Sequence, residues 1–449
     1  MRWTLTQIAN PEKVKHLQNC LGVDSSIAEL LVKRGVNTFE EAKSFFRPHL
    51  DHLHDPFLMK GMPEATNRIF KALEAQEKIM VFGDYDVDGT TSVALMTIYL
   101  QSLGAEVLSY IPDRYEEGYG ISYQGIDCAK REGIALIIAL DCGIKAIDKV
   151  DYANDLGIEF IICDHHRPGE HVPNALAVLD PKQKDCSYPY DELCGCGVGF
   201  KLVQALQAKL NKPQKEIYKY LDLVATAIGS DIVPITGENR ILAHFGLKLI
   251  NARKRPAFKA ILEQTKKKVL TITDVVFMIG PRINAAGRMK HGLLATEFLC
   301  EANLENAKSL AQNIEQFNSS RKDADRQITQ EALSIIEEQQ EESRQTTVVY
   351  QPHWHKGVIG IVASRLTETY YRPTLVFTKS GEKLAASARS VKGFDIYEAL
   401  ESSSEFIEQF GGHKYAAGLT LREDNYQKFK AKFEEVVQSS IDPELLTPE

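Results

Sequence analysis

A chain of 449 residues, 44% hydrophobic and 25% charged, has the composition of an ordinary globular protein and the length for two or three domains. No apolar run approaches a membrane span, the start Met1-Arg2-Trp3-Thr4-Leu5-Thr6 lacks the apolar stretch of a signal peptide, and eight scattered cysteines suit a reducing cytoplasm better than a disulfide framework. The formal net charge of −8 excludes indiscriminate binding of polyanions.

The charge is unevenly spread. Between Glu238 and Phe298 there are 12 Lys or Arg and 4 Asp or Glu, a local excess of +8 that leaves −16 for the rest. Such a segment fits a phosphate-bearing partner and equally a solvated helical surface carrying Lys266-Lys267-Lys268. Cys186, Cys194 and Cys196 cluster loosely, without the spacing of a zinc ribbon.

Residues 1–60 read as a helical and irregular arm. Leu21-Gly22-Val23-Asp24 followed by an apolar stretch over 27–32 suggests a short capped helix. From Lys78 strand and helix alternate. Strands are expected over 79–82, 107–111, 135–140 and 160–163, and helices over 92–103, 122–131 and 144–156. That alternation predicts a parallel sheet covered by helices on both faces.

The ends of these strands carry the chemistry. The first, Ile79-Met80-Val81-Phe82, runs into Gly83-Asp84-Tyr85-Asp86-Val87-Asp88-Gly89-Thr90-Thr91. Three carboxylates at alternate positions repel one another unless a cation sits among them or their pKa values rise. Hard divalent metals are the natural partners of such oxygens. An acidic turn is the plain alternative, Asp and Gly being ordinary turn residues. The third strand ends in Asp141-Cys142-Gly143 and the fourth in Asp164-His165-His166. In a parallel sheet these ends form one rim, and a chance turn explains three of them poorly. Imidazoles beside carboxylates suit manganese. Arg114, in the segment after the second strand, is a candidate phosphate fork. A buried helix over 221–228 ends at Gly229-Ser230-Asp231, so Asp231 follows an apolar run as the other candidates do.

From Ala302 to Gln345 there is neither Gly nor Pro, and the apolar spacing predicts one long amphipathic helix or two helices broken near Asn318-Ser319-Ser320. A second α/β unit follows, with strands over 347–350, 375–378 and 384–388 and a helix over 358–371. Glycines gather there beside cations, in His355-Lys356-Gly357, Ser387-Ala388-Arg389 and Gly411-Gly412-His413-Lys414, a pattern that suits a phosphate nest. Gly-Gly-His alone is more often a turn.

Taken together, Asp84-Tyr85-Asp86-Val87-Asp88-Gly89, Asp141, Asp164-His165-His166 and Ser230-Asp231 resemble the four motifs of the DHH phosphoesterase superfamily. Ser387-Ala388-Arg389 and Gly411-Gly412-His413 resemble its associated DHHA1 domain. Glu116-Glu117-Gly118-Tyr119-Gly120, Pro281-Arg282-Ile283-Asn284-Ala285-Ala286-Gly287-Arg288 and Gly357-Val358-Ile359-Gly360-Ile361-Val362-Ala363-Ser364 make the chain most similar to the RecJ group of bacterial single-strand-specific exonucleases. The resemblance runs from about Asp84 to Gly418. It implies an α/β protein of two lobes: a parallel-sheet DHH domain over 61–300, a connecting helix over 301–345, a smaller DHHA1 domain over 346–440 that holds nucleic acid, and a tail over 441–449.

It also implies two divalent ions, Mn2+ or Mg2+, held by Asp84, Asp86, Asp88, Asp141, His165 and Asp231, with Asp141 bridging them. Asp141, His165 and His166 would be catalytic, His166 touching phosphate. Arg114, Arg282, Asn284, Arg288, Ser387, Arg389, Gly411, Gly412 and His413 would hold the strand. Relatives outside the RecJ group often carry a His where Phe82 stands, and Asp84 is expected to supply that contact. RecJ proteins usually continue into an oligonucleotide-binding barrel. This sequence ends before one, which implies a weaker hold on the strand.

The activity implied is hydrolysis of single-stranded DNA from its 5′ end to mononucleotides, in repair and recombination, in the cytoplasm. A single-strand-binding protein and a helicase are the expected partners. Rival readings are a phosphodiesterase for short oligoribonucleotides or cyclic dinucleotides, and a catalytically dead replication subunit, against which the intact Asp86, Asp141, His165 and Asp231 argue. A pyrophosphatase would not need the basic segment.

Overall fold

The structure, a computed structural model, describes residues 9–265 and 267–448. Met1 to Ile8, Lys266 and Glu449 lie outside the described residues. The described residues fall into two compact units, one up to Asn318 and one from Ser319 onward.

The first unit is built on five parallel strands, β1 (Ile79–Gly83), β2 (Val107–Tyr110), β3 (Leu136–Leu140), β4 (Glu159–Cys163) and β5 (Ala177–Leu179), in the order β2-β1-β3-β4-β5. Alternate residues serve opposite faces. Met80, Phe82, Ile137, Ala139, Phe160 and Ile162 enter one core, and Ile79, Val81, Leu136, Ile138, Leu140 and Ile161 the other. Burial on both faces is why β1 and β3 read as unbroken apolar runs. β2 lies on one side of β1 and β3 on the other, so the crossovers reverse between β1 and β3. In open sheets that switch point leaves a crevice at the carboxyl ends. β5 escaped the sequence reading because it is only three residues long.

The helix expected over 92–103 runs from Val87 to Ser102. Asp86 caps it, its side chain accepting from Gly89 N at 3.1 Å. Asp88 therefore lies in the first helical turn, and the three carboxylates do not share one extended loop as the alternation suggested. The helix expected over 144–156 is shorter, Ile147–Asp155, because Gly143 takes a φ of 114° and the chain turns before it. Lys267 and Lys268 lie in a loop after the helix Pro256–Glu263, not on a helical surface, and Lys267 pairs with Asp274.

Near the N-terminus the helices Pro11–Leu21, Ser25–Lys33 and Phe39–Phe46 enclose a small core of Leu17, Ala28, Leu31, Val36 and Ala42. Asp24 caps the second of them as its sequence suggested. The chain beyond is tied in by a buried ammonium: Lys201 Nζ donates to His54 O at 2.8 Å and to Glu238 Oε1 at 3.0 Å, and Tyr188 donates to Glu238 Oε2 at 2.6 Å.

One unbroken helix spans Leu304–Glu338, with no break at Asn318-Ser319-Ser320, and the boundary between the two units falls within it. The second unit holds a mixed sheet of β6 (Thr347–Tyr350), β7 (Thr374–Ser380), β8 (Lys383–Arg389), β9 (Gln409–His413) and β10 (Ala416–Arg422), ordered β6-β7-β8-β10-β9. Only the β6–β7 pair is parallel. Gly411-Gly412-His413 form an edge strand rather than a turn or nest: full pairing with β10 wins over the local turn preference of two glycines. No helix among the described residues is long and apolar enough to cross a membrane.

The helices Leu221–Ser230 and Gly237–Ala252 pack backbone to side at Gly246, where an added Cβ would sit 2.0 Å from Leu221 O. Gly246→Ala should cost about 1–3 kcal/mol by overpacking. A melting temperature equal to that of the parent would show that the two helices part more easily than their contact implies.

Candidate metal centre

The switch point carries Asp84 at the end of β1 and Asp141 at the end of β3. Asp141 adopts φ 61°, a left-handed conformation that Asp tolerates better than bulky residues, while its N–H donates to Cys163 O at 2.9 Å. The tip of the helix Gly195–Lys209 presses against it. A Cβ at Gly195 would lie 2.6 Å from Asp141 Cβ, so this approach needs glycine. The same tip gives its Gly195 and Cys196 N–H groups to the two oxygens of Asp88, each at 2.7 Å. Asp231 follows the last turn of Leu221–Ser230 and completes the ring.

His165 stands at the centre. Its Nε2 is 3.2 Å from Asp141 Oδ1, 3.6 Å from Asp231 Oδ2 and 3.8 Å from Asp88 Oδ2. Two overlapping triads, Asp141-His165-His166 and Asp88-His165-Asp231, each bring three ligand atoms within 4.8 Å of one another. Burial and the neighbouring His166 lower the pKa of His165 to about 4, so the ring is neutral and able to ligate. Asp164 is no part of the ring but orients it. Its Oδ1 accepts from His165 N, His166 N and His166 Nδ1, and its Oδ2 from Ile144 N at 2.9 Å. Burial opposes the charge of Asp164, yet its bond to His166 and the backbone donors bring it to about 2. The same pair carries His166 up to about 9 against its own burial.

The residues fit hard divalent cations. Both oxygens of Asp84, Oδ1 of Asp141 and Oδ2 of Asp231 are buried without a hydrogen bond, which leaves them as open acceptors. Burial, then the charge of Asp86, pushes Asp84 up to about 8, and burial raises Asp86, Asp88 and Asp141 as well. Carboxylates in this condition hold protons until a cation replaces them.

Around the ring, Arg114 lies 3.9 Å above the Tyr85 ring. Tyr119, half-exposed between Gly118 (φ 87°) and Gly120 (φ 74°), brings its hydroxyl within 3.3 Å of His166 Nε2. Glu117 braces that loop, accepting from Tyr110, Ser122 and Asp113 N. A π turn over Val275–Ile279 leads into the helix Gly280–Met289, which bears Arg282, Asn284 and Arg288 and touches Tyr85 through Gly287. Arg282 is engaged by Glu315 at 2.5 Å and by Met278 O at 2.7 Å, and the Arg288 carbonyl accepts from Tyr115.

In the second unit the sheet register assembles what the sequence scattered. Gly418 of β10 pairs with Ser387 on one side and Gly411 on the other. Ala416 pairs with Arg389 and His413. Residues two apart share a face, so Ser387, Arg389, Gly411 and His413 share one; the helix Ile359–Tyr370 packs over its Ser387 and Arg389 side, and Gly418 and Ala416 leave the rest exposed. Arg389 has no carboxylate partner among the described residues. Its guanidinium is held by Ser364 Oγ at 3.2 Å, Ser387 Oγ at 3.1 Å and Ala388 O at 2.7 Å. Gly412, at φ 146°, lies against the β10 backbone, where a Cβ would meet Ala416 O at 2.4 Å.

The sequence reading missed Asp180, a buried carboxylate at the end of β5 whose Oδ2 has no hydrogen bond, and Lys182, whose Nζ donates to His165 O at 2.8 Å. The signal was there in Leu179-Asp180-Pro181, another apolar run closed by an acid.

The raised carboxylates set a sign for stability. In metal-free buffer they bind protons in the folded chain that the unfolded chain has lost, so stability is full below the ordinary carboxylate range and falls as pH rises through about 8, the value for Asp84. The melting temperature in a chelator should drop between about pH 5 and pH 9, and Asp141→Asn should flatten that drop. A melting temperature that climbs across this window would contradict the charge crowding.

Comparison with known proteins agrees with this geometry. Residues 78–228 match the model of the DHH family, N-terminal domain, and residues 344–439 that of the DHHA1 domain. The chain is 39% identical to the single-stranded-DNA-specific exonuclease RecJ of Bacillus subtilis, over all of this chain and 56% of the relative. It is 36% identical to that of Salmonella typhimurium, over 94% of this chain and 76% of the relative. The crystal structure of RecJ in complex with Mn2+ from Thermus thermophilus superposes with a TM-score of 0.85 at 29% identity, covering 98% of this chain and 63% of that one. This chain thus spans little more than half the length of the Bacillus relative. With both domain models matched in order and a relative of 36% identity covered over three quarters of its length, the chain belongs to the RecJ family.

Proposed function

We propose that this chain hydrolyses phosphodiester bonds of single-stranded DNA as a metal-dependent exonuclease, working 5′ to 3′ and releasing mononucleotides in repair and recombination. The observation that carries this reading is the ring of buried carboxylates with open oxygens around His165 at the switch point of the sheet. Divalent cations, Mn2+ or Mg2+, held by Asp84, Asp86, Asp88, Asp141, His165 and Asp231 would supply polarisation of the phosphodiester and an activated water.

The chain's own residues do the rest. Asp164 keeps His165 and His166 in fixed orientations. His166, fixed through Nδ1 by Asp164, turns Nε2 toward Tyr119 and would meet a phosphate oxygen there. Arg114 brings a positive fork to the same rim. In the second unit, the exposed strip of Gly411, His413, Ala416 and Gly418, with Ser387 and Arg389 at its edge, is suited to a nucleic-acid backbone, since its glycines and alanine leave room for one. The polarity, the cytoplasmic location and the expected partners, a single-strand-binding protein and a helicase, rest on the family alone.

A length series of end-labelled single strands incubated with manganese tests the reading. Mononucleotides released from the 5′ end are expected, and activity confined to dinucleotides or cyclic dinucleotides would favour the small-substrate rival. Asp141→Ala should lower turnover by at least about a thousandfold while single-strand binding persists. Near-normal turnover would remove Asp141 from the centre. Arg389→Ala should raise KM on long strands by roughly ten- to a hundredfold and spare a dinucleotide. A lowered melting temperature with unaltered KM on both would make Arg389 structural.

A further inference from the structure

A second site lies in the first unit, away from the carboxylate ring. A cavity of about 910 Å³ opens where the segment before Leu221–Ser230 faces the helix Gly237–Ala252, and Lys215, Lys219, Lys248 and Lys254 line it together with the rings of Tyr218 and Phe245. Its volume is that of an ordinary small-molecule pocket. Two of its lysines come from one wall and two from the other. All four are exposed, and among the described residues none is paired with a carboxylate.

Of the two acids in the lining, one is neutralised by an arginine and the other keeps its charge. Asp222 is clamped by Arg255 at 2.8 and 2.9 Å, and Glu301 accepts from Asn303 N at 2.7 Å. An unpaired positive cluster over an apolar floor, in a chain of net charge −8, is a local inversion that the fold does not require. Lys248 and Lys254 belong to the basic segment whose role the catalytic centre leaves open.

We propose that this cavity binds a nucleotide, its base against Tyr218 or Phe245 and its phosphate among the lysines. Ammonium groups are compact, rotatable point charges that meet phosphate without a fixed direction, and aromatic rings accept any base by stacking. Cations on two walls of one cavity, two of them resting over the rings of Tyr220 and Phe245, suit a compact polyanion better than the separated carboxylates of an acidic peptide. The helix Leu221–Ser230 has its first residues in the cavity wall and Asp231 just past its last, so the two sites stand about 15 Å apart along one rigid element. The ligand is either a free nucleotide, as a hydrolysis product would be, or an internal nucleotide of a bound strand.

The test uses the full chain carrying Asp141→Ala in a chelator, titrated calorimetrically with deoxyadenosine 5′-monophosphate, with inorganic phosphate and with a short single-stranded oligodeoxynucleotide. Adding Lys219→Glu and Lys248→Glu should weaken nucleotide binding by about tenfold or more, since two attractions become repulsions. Adding Tyr218→Leu instead should weaken the nucleotide more than the phosphate. Loss of the mononucleotide assigns a free ligand, and loss confined to the oligonucleotide assigns a strand.

The proposal is overturned if the double charge reversal leaves both affinities unchanged, or if it abolishes binding of an acidic, Phe-containing peptide and leaves nucleotides untouched. In the parent background with manganese, dinucleotide hydrolysis should not change on the double reversal, which keeps this outcome separate from the fate of the exonuclease reading.

Discussion

Negative charge crowded into a dry crevice is the constraint around which the first unit is arranged. Asp84 and Asp141 are almost fully buried, and Asp88 sits beside them. Water cannot screen them, so they remain together only through protonation, through donors or through cations. The fold supplies donors sparingly. Two backbone N–H groups go to Asp88 and one to Asp86, while the backbone near Asp84 gives its side chain no well-formed hydrogen bond. The shortfall leaves open oxygens of the kind that hard cations take. A better-satisfied cluster would be a more stable protein with a poorer metal centre.

The same sparing use of donors and acceptors governs the histidines. Asp164 commits its lone pairs to orienting His165 and His166 and so stays out of the ring. Two adjacent imidazoles thereby acquire opposite character, one neutral and inward, the other charged and towards the rim. In the second unit, order comes from register instead of charge. Two small residues of β10 separate Ser387 and Arg389 from Gly411 and His413, and no side chain rises between them.

Much of this was legible in the chain. Apolar runs, with Ser109 interrupting the second, gave four of the five strands, and an acid or histidine after three of them gave the rim, because parallel strands put like ends together. The parts that were not legible depend on partners distant in sequence. Asp88 reads as a metal-binding carboxylate on an extended loop, and only the helix Val87–Ser102 and the tip of Gly195–Lys209 show it in a helical turn held by backbone donors. β5 is too short for a pattern. Gly411-Gly412-His413 has the composition of a turn, and becomes a strand because β10 offers a complete ladder. The long helix could be read as one or two, since its three central polar residues neither break nor favour a helix strongly.

The contact between Asp88 and the Gly195–Cys196 amides reaches across more than a hundred positions of chain, and Asp231 is further on still. A chain emerging from the ribosome shows its acidic motif early but has nothing to anchor it until the later helix has folded back. The half-made protein therefore carries the metal-binding letters without the metal-binding word. The carboxylate ring would close only when the chain as far as Asp231 has folded back, with the second unit still to be made.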